Sequence, residues 1–129
     1  VSTNPADVPT SSGLYVVRVD TDDMRIDLDP RREATCLRVG RAHCKFGRAR
    51  NLRARCGNYL KTFAGAEVTF KVLALVDDYK GAEARCNAAL MQYRSRGPSG
   101  RLHEWLSGIT PEGVAAIVER TLGHVDRLD

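Results

Sequence analysis

Apolar residues recur at Leu52, Cys56, Tyr59 and Phe63, the spacing of one face of a helix. The pattern predicts a helix opening at Asn51, whose side chain can accept from backbone donors one turn on. Gly57 inside it costs about 1 kcal/mol against Ala and leaves the pattern intact. Tyr79 to Tyr93 predicts a second helix with Ala82, Cys86, Ala89, Leu90 and Tyr93 on one face, and "TPEGVAAIVERTL" a third, with Thr110 at the N-cap and Pro111 at the first helical position. "GLYVVRV", bounded by Gly13, reads as a strand rich in β-branched and aromatic residues. "TCLRVGRAHCKFGRA" carries two short strand-like pieces. "EVTFKVLALV" alternates and then turns apolar on both faces, which predicts a strand covered on one side, then on two, in a central position.

Between these elements the chain is polar. Residues 1–12, rich in Ser, Thr and Pro, are expected to be a poorly ordered leader. "DTDDMRIDLDPRREA" suits a hairpin excursion or a long loop whose acidity offsets the basic segment after it. Gly97 and Pro98 punctuate as a turn, and "HEWLSG" is short. The 129 residues amount to one α/β domain. Its expected form is a small sandwich with a sheet of about three strands flanked by helices.

Composition adds little, at 43% hydrophobic and 28% charged, and the net charge is only +4. Position is more informative, because Arg38, Arg41, Lys45, Arg48, Arg50, Arg53 and Arg55 crowd one segment and suggest an anionic partner. Cys36, Cys44, Cys56 and Cys86 have no Cys-x-x-Cys pairing, and with His43 they match no short zinc knuckle or ribbon; reduced, buried thiols are expected. No apolar run approaches the roughly 20 residues needed to span a bilayer, so no membrane partner and an intracellular, cytoplasmic location are expected.

Three features carry chemistry. A strand ending in Gly47 and leading into a helix bends the chain sharply and lets a phosphate approach the backbone. Arg55 lies on the helical side shared by Leu52 and Tyr59, and so borders the buried face. Glu83 sits near the apolar edge of its helix, where a carboxylate is costly to bury without a cation: an arginine, or a divalent metal.

With Gly13-Leu14-Tyr15, Lys45-Phe46-Gly47, Arg55 and Glu83 in that order, the chain resembles the GIY-YIG nuclease superfamily. "KFGRARNLRARCGNYL" is similar to the pattern of the excision-repair incision branch, with Gly47, Arg48, Ala49, Leu52, Arg55 and Tyr59 in register. "HEWL" resembles a phage-associated Lys-Ile-Gly branch. The likeness covers about residues 13–106, within a nuclease-like domain over 13–108 that has an insertion at about 20–34 and is followed by a C-terminal helix over 109–129. Lys45 replaces the tyrosine that names the second motif, and residues 16–44 separate the motifs where relatives have fewer. An alignment on Arg38-Val39-Gly40 shortens the gap but puts Lys45 where the helical leucine belongs.

The resemblance implies a three-stranded mixed or antiparallel sheet flanked by helices, and metal-dependent hydrolysis of phosphodiesters in nucleic acid, DNA before RNA. Glu83 would hold one Mg2+ or Mn2+ ion and Arg55 would clamp the phosphate. Tyr15 would accept a proton, its phenol partly ionised by Lys45 and Arg48. Gly47, Arg48, Arg50 and Tyr59 would bind phosphate or backbone, in a trough walled by the arginines. The alternative is a non-catalytic nucleic-acid-binding module of the same fold. Trp105 reads as a core residue before a base-stacking platform.

Overall fold

Strand β1 (Gly13–Asp20) is buried almost from end to end because both its faces are covered, which is why its sequence is apolar without alternation. The computed structural model describes residues 1–22, 24–27, 36–96 and 102–127. After β1 come β2 (Met24–Asp27), β3 (Cys36–Val39), β4 (His43–Ala49), helix α1 (Leu52–Thr62), β5 (Glu67–Leu75), α2 (Tyr79–Leu90), β6 (Arg94–Arg96), β7 (Leu102–Ser107) and α3 (Pro111–Arg127). The protein is α/β.

Five strands in the order β5-β1-β4-β7-β6, every neighbouring pair antiparallel, make the main sheet where about three strands were expected; β2 and β3 pair as a separate ribbon. The two extra strands are β6 and β7. Only three residues long, β6 carries no periodic signal and exists by pairing with β7. The turn expected at Gly97-Pro98 lies outside the described residues. So does much of the proposed insertion; β2 and β3, which lie between β1 and β4 in the chain, pair antiparallel. At its root Arg41 is paired with Asp20 and Asp22, so the acidic stretch does offset a basic residue.

Each face of the sheet has its own core. On one, Tyr15, Val17 and Val19 meet Leu52, Cys56 and Tyr59 of α1 and Phe63 at its C-cap. On the other, Leu14, Val16, Cys44 and Phe46 meet Ala82, Cys86 and Leu90 of α2 and Val114, Ile117, Val118 and Leu122 of α3. The expected helix faces are these, except that Ala89 is exposed and the second helix ends at Leu90, with Tyr93 in a following 3-10 turn and only partly buried. Both N-caps form: Asn51 accepts from the amide of Ala54, and the Thr110 hydroxyl from that of Gly113. No helix among the described residues is long and apolar enough to cross a membrane.

Two expectations are corrected. Strand β5 is an edge, not a centre; its last residues are apolar because α3 half covers them, with Leu73 and Ala74 packed into the α3-side core. Residues 1–12 are not a loose leader. Ser2 and Thr3 bond β5 at Val68 and Phe70, covering part of that edge. Carbonyls of Pro9 and Ser11 accept from the amides of Arg53 and Leu52, donors a helix start otherwise leaves unsatisfied.

Arg53 fastens the same segment, its guanidinium donating to the carbonyls of Val8 at 2.7 Å and Ala6 at 3.4 Å. Arg53→Ala is expected to lower stability by about 1 kcal/mol. Hydrogen exchange should report lost amide protection at Thr3 and Val8; unchanged protection there rules out the anchoring role.

Candidate functional site

Strand pairing brings the two motifs face to face. In the β1–β4 register Tyr15 lies directly opposite Gly47, and a Cβ at residue 47 would stand 2.5 Å from the Tyr15 hydroxyl and 2.7 Å from Cζ. Space, not backbone conformation, therefore demands glycine. The Tyr15 ring cannot easily yield, being 1% exposed and stacked on Phe70 with centroids 4.7 Å apart. Gly47→Ala is expected to cost about 1–3 kcal/mol as overpacking and to shift the phenol. Urea unfolding that shows no loss of stability would contradict this contact.

Helix α1 contributes two side chains one turn apart. The hydroxyls of Tyr59 and Tyr15 are 2.8 Å apart, and either can be the donor. Arg55 Nη1 donates to the Tyr15 hydroxyl at 3.3 Å and to the Arg48 carbonyl at 3.3 Å. The Arg48 guanidinium donates to Glu83 Oε1 at 3.1 Å, with the Glu83 side chain 19% exposed. A continuous polar line thus runs Tyr59, Tyr15, Arg55, Arg48, Glu83, from α1 through β1 and β4 to α2. Of the two cations open to Glu83, the arginine is present.

Lys45 stands at the other end. Its ammonium is 3.4 Å from Glu104 Oε2 and 5.8 Å from the centre of the Tyr59 ring. Arg50 is exposed at the turn between β4 and α1, outside this line. The basic segment does not form one open trough: Arg41, Lys45 and Arg48 are each paired with carboxylates and Arg53 with backbone carbonyls. Trp105 belongs to the core, edge-on to Phe63.

The expected ionisation of Tyr15 is reversed. Burial first, then the charge and hydrogen bond of Tyr59, push its hydroxyl well above the ordinary phenol range; Lys45 and Arg55 pull the other way and do not prevail. Burial likewise raises Tyr59, against the pull of Tyr15 and Arg55, while the Glu104 carboxylate raises it further. Both phenols are neutral at neutral pH. Burial pushes the Cys44 and Cys86 thiols up to about 11 and raises Cys56, so these are unreactive core residues.

Among the described residues no three His, Cys, Asp or Glu side chains gather into a metal-binding group. The donor chemistry still fits one hard cation, because magnesium keeps several waters and binds through one or two carboxylates plus substrate phosphate. Glu83 can be that carboxylate, in exchange for Arg48. Sequence reading missed Glu104: its motif was visible, but its partner depends on β7 pairing with β4.

The sequence matches no protein-family model, and no curated protein and no solved structure is significantly similar to it.

Proposed function

We propose that the protein is a GIY-YIG-type endonuclease that hydrolyses phosphodiester bonds in nucleic acid, DNA before RNA, with Mg2+ or Mn2+ at Glu83. The observation that carries the reading is the convergence of Tyr15, Gly47, Arg55 and Tyr59 on one hydroxyl pair, joined to Glu83 through Arg48. Hydrolysis builds negative charge on the phosphoryl oxygens and on the leaving oxygen. A divalent ion on Glu83 would supply Lewis-acid stabilisation of that charge. Arg55, already aimed at the Tyr15 hydroxyl, presents a planar fork of donors to a phosphate and holds it beside that phenol. Arg48, once released from Glu83, adds a second cation, and Lys45 a third across the tyrosine pair.

The runner-up is a nucleic-acid-binding module of the same fold without cleavage. Two features favour it: lysine at the naming position of the second motif, and burial that holds the Tyr15 hydroxyl above the ordinary phenol range. Nicking of supercoiled plasmid decides. Cleavage with Mg2+ or Mn2+ that disappears with chelator supports the nuclease. Salt-sensitive DNA binding without nicking supports the binding module, since arginines that displace counterions lose affinity steeply with salt. Neither result would leave both readings without support.

A further inference from the structure

Among the described residues Glu104 is the carboxylate beside Tyr59 on β7, and it holds the residue at which the second motif departs from its family pattern. Lys45 lies directly opposite Trp105 across the β4–β7 ladder, and its side chain is only 23% exposed while that of Glu104 is 67% exposed. The lysine stem is therefore largely enclosed and the carboxylate fixes its tip, 3.4 Å away. A pair this open adds little to stability. What it sets is position: the ammonium is kept over the Tyr59 ring, 5.8 Å from its centre.

We propose that Glu104 is a positioning residue of the site, holding the Lys45 ammonium against Tyr59 so that the tyrosine pair is bordered by this ammonium as well as by the Arg55 guanidinium. The proposal rests on the nuclease reading and names a residue that reading does not use. Among the described residues the charged and titratable groups around the pair are Arg55 on α1, Lys45 on β4 and Glu104 on β7, with Arg48 and Glu83 reached through the Arg48 carbonyl that Arg55 also bonds. Lys45 favours a phenolate at Tyr15, and Glu104 disfavours one at Tyr59. Without Glu104 the lysine tip is free to swing toward solvent, away from the Tyr59 ring.

Two measurements on the whole chain test this. Over an aromatic face the Lys45 ε-methylene should resonate upfield of the other lysines, assigned by its disappearance in Lys45→Met. Glu104→Gln should return it to the ordinary position, and Glu104→Asp should retain part of the displacement. An unchanged Lys45 resonance in Glu104→Gln overturns the positioning role whatever the protein does. In single-turnover plasmid nicking, Glu104→Gln should lower the rate roughly 2- to 5-fold, the most that an exposed pair of this strength can impose on the position of Lys45. Glu104→Gln combined with Lys45→Met should be no slower than Lys45→Met alone. Additive losses, or a Glu104→Gln rate equal to wild type, overturn the proposal. A wild type that does not nick while its Lys45 resonance still answers to Glu104 overturns the nuclease reading and the catalytic use of the pair, and upholds the contact.

Discussion

Glu83→Gln is expected to reduce metal-dependent nicking at least about 100-fold, the order of loss when one element stabilising transition-state charge is removed. The amide keeps the shape of the carboxylate but not its charge, so it neither holds a divalent cation nor neutralises Arg48. The second consequence sets the expected sign for binding. Arg48, 3.1 Å from Glu83 Oε1 in the resting protein, loses its counter-charge and becomes available to phosphate. DNA retention without metal should therefore be equal to or tighter than wild type. Folding is not at risk, because Arg48 is 44% exposed and can be solvated. Single-turnover cleavage beside filter binding distinguishes the outcomes: wild-type rates exclude Glu83 as the metal ligand, and loss of binding in step with cleavage makes the Arg48–Glu83 pair merely structural.

Local periodicity and capping made the helices legible. The face Leu52, Cys56, Tyr59, Phe63 is fixed by the helical repeat, and Asn51 and Thr110 act on amides a single turn away. Whether β5 is central or an edge depends on which strands pair with it, and nothing in "EVTFKVLALV" distinguishes helix cover from a second strand neighbour. Residues 1–12 are compositionally those of a loose tail. They are fixed by partners far along the chain, the amides of Leu52 and Arg53 and the edge at Val68 and Phe70. The site divides the same way. Tyr15, Gly47, Arg55 and Tyr59 come together as motif spacing implied. Which carboxylate each cation takes, and how far burial outweighs nearby charge at Tyr15, depend on three-dimensional neighbours that spacing does not encode.

Tyr15→Phe should lower the chemical step by about 100- to 10,000-fold, the range for loss of a general base. It should also abolish a distinctive pH dependence. The Tyr15 hydroxyl is held above the ordinary phenol value, so its anionic fraction is small at neutral pH and grows tenfold with each unit of pH. If that phenolate accepts the proton, log rate rises with unit slope from neutral pH upward and shows no plateau below the usual phenol value of about 10. The substitution also removes a hydrogen-bond partner from Arg55 and Tyr59, a structural loss of about 1–3 kcal/mol. Rates must therefore be read well below the unfolding midpoint of the variant, and the slope, which a packing defect does not alter, is the decisive quantity. A flat profile in Tyr15→Phe against unit slope in wild type assigns the base. Retention of the slope at a lower rate moves the proton acceptor elsewhere, with Lys45 first in line. Lys45→Arg then settles that residue, because a guanidinium does not deprotonate in proteins: measurable activity in Lys45→Arg, with little in Lys45→Met, requires a charge at residue 45, whereas two equally inactive variants require a neutral amine.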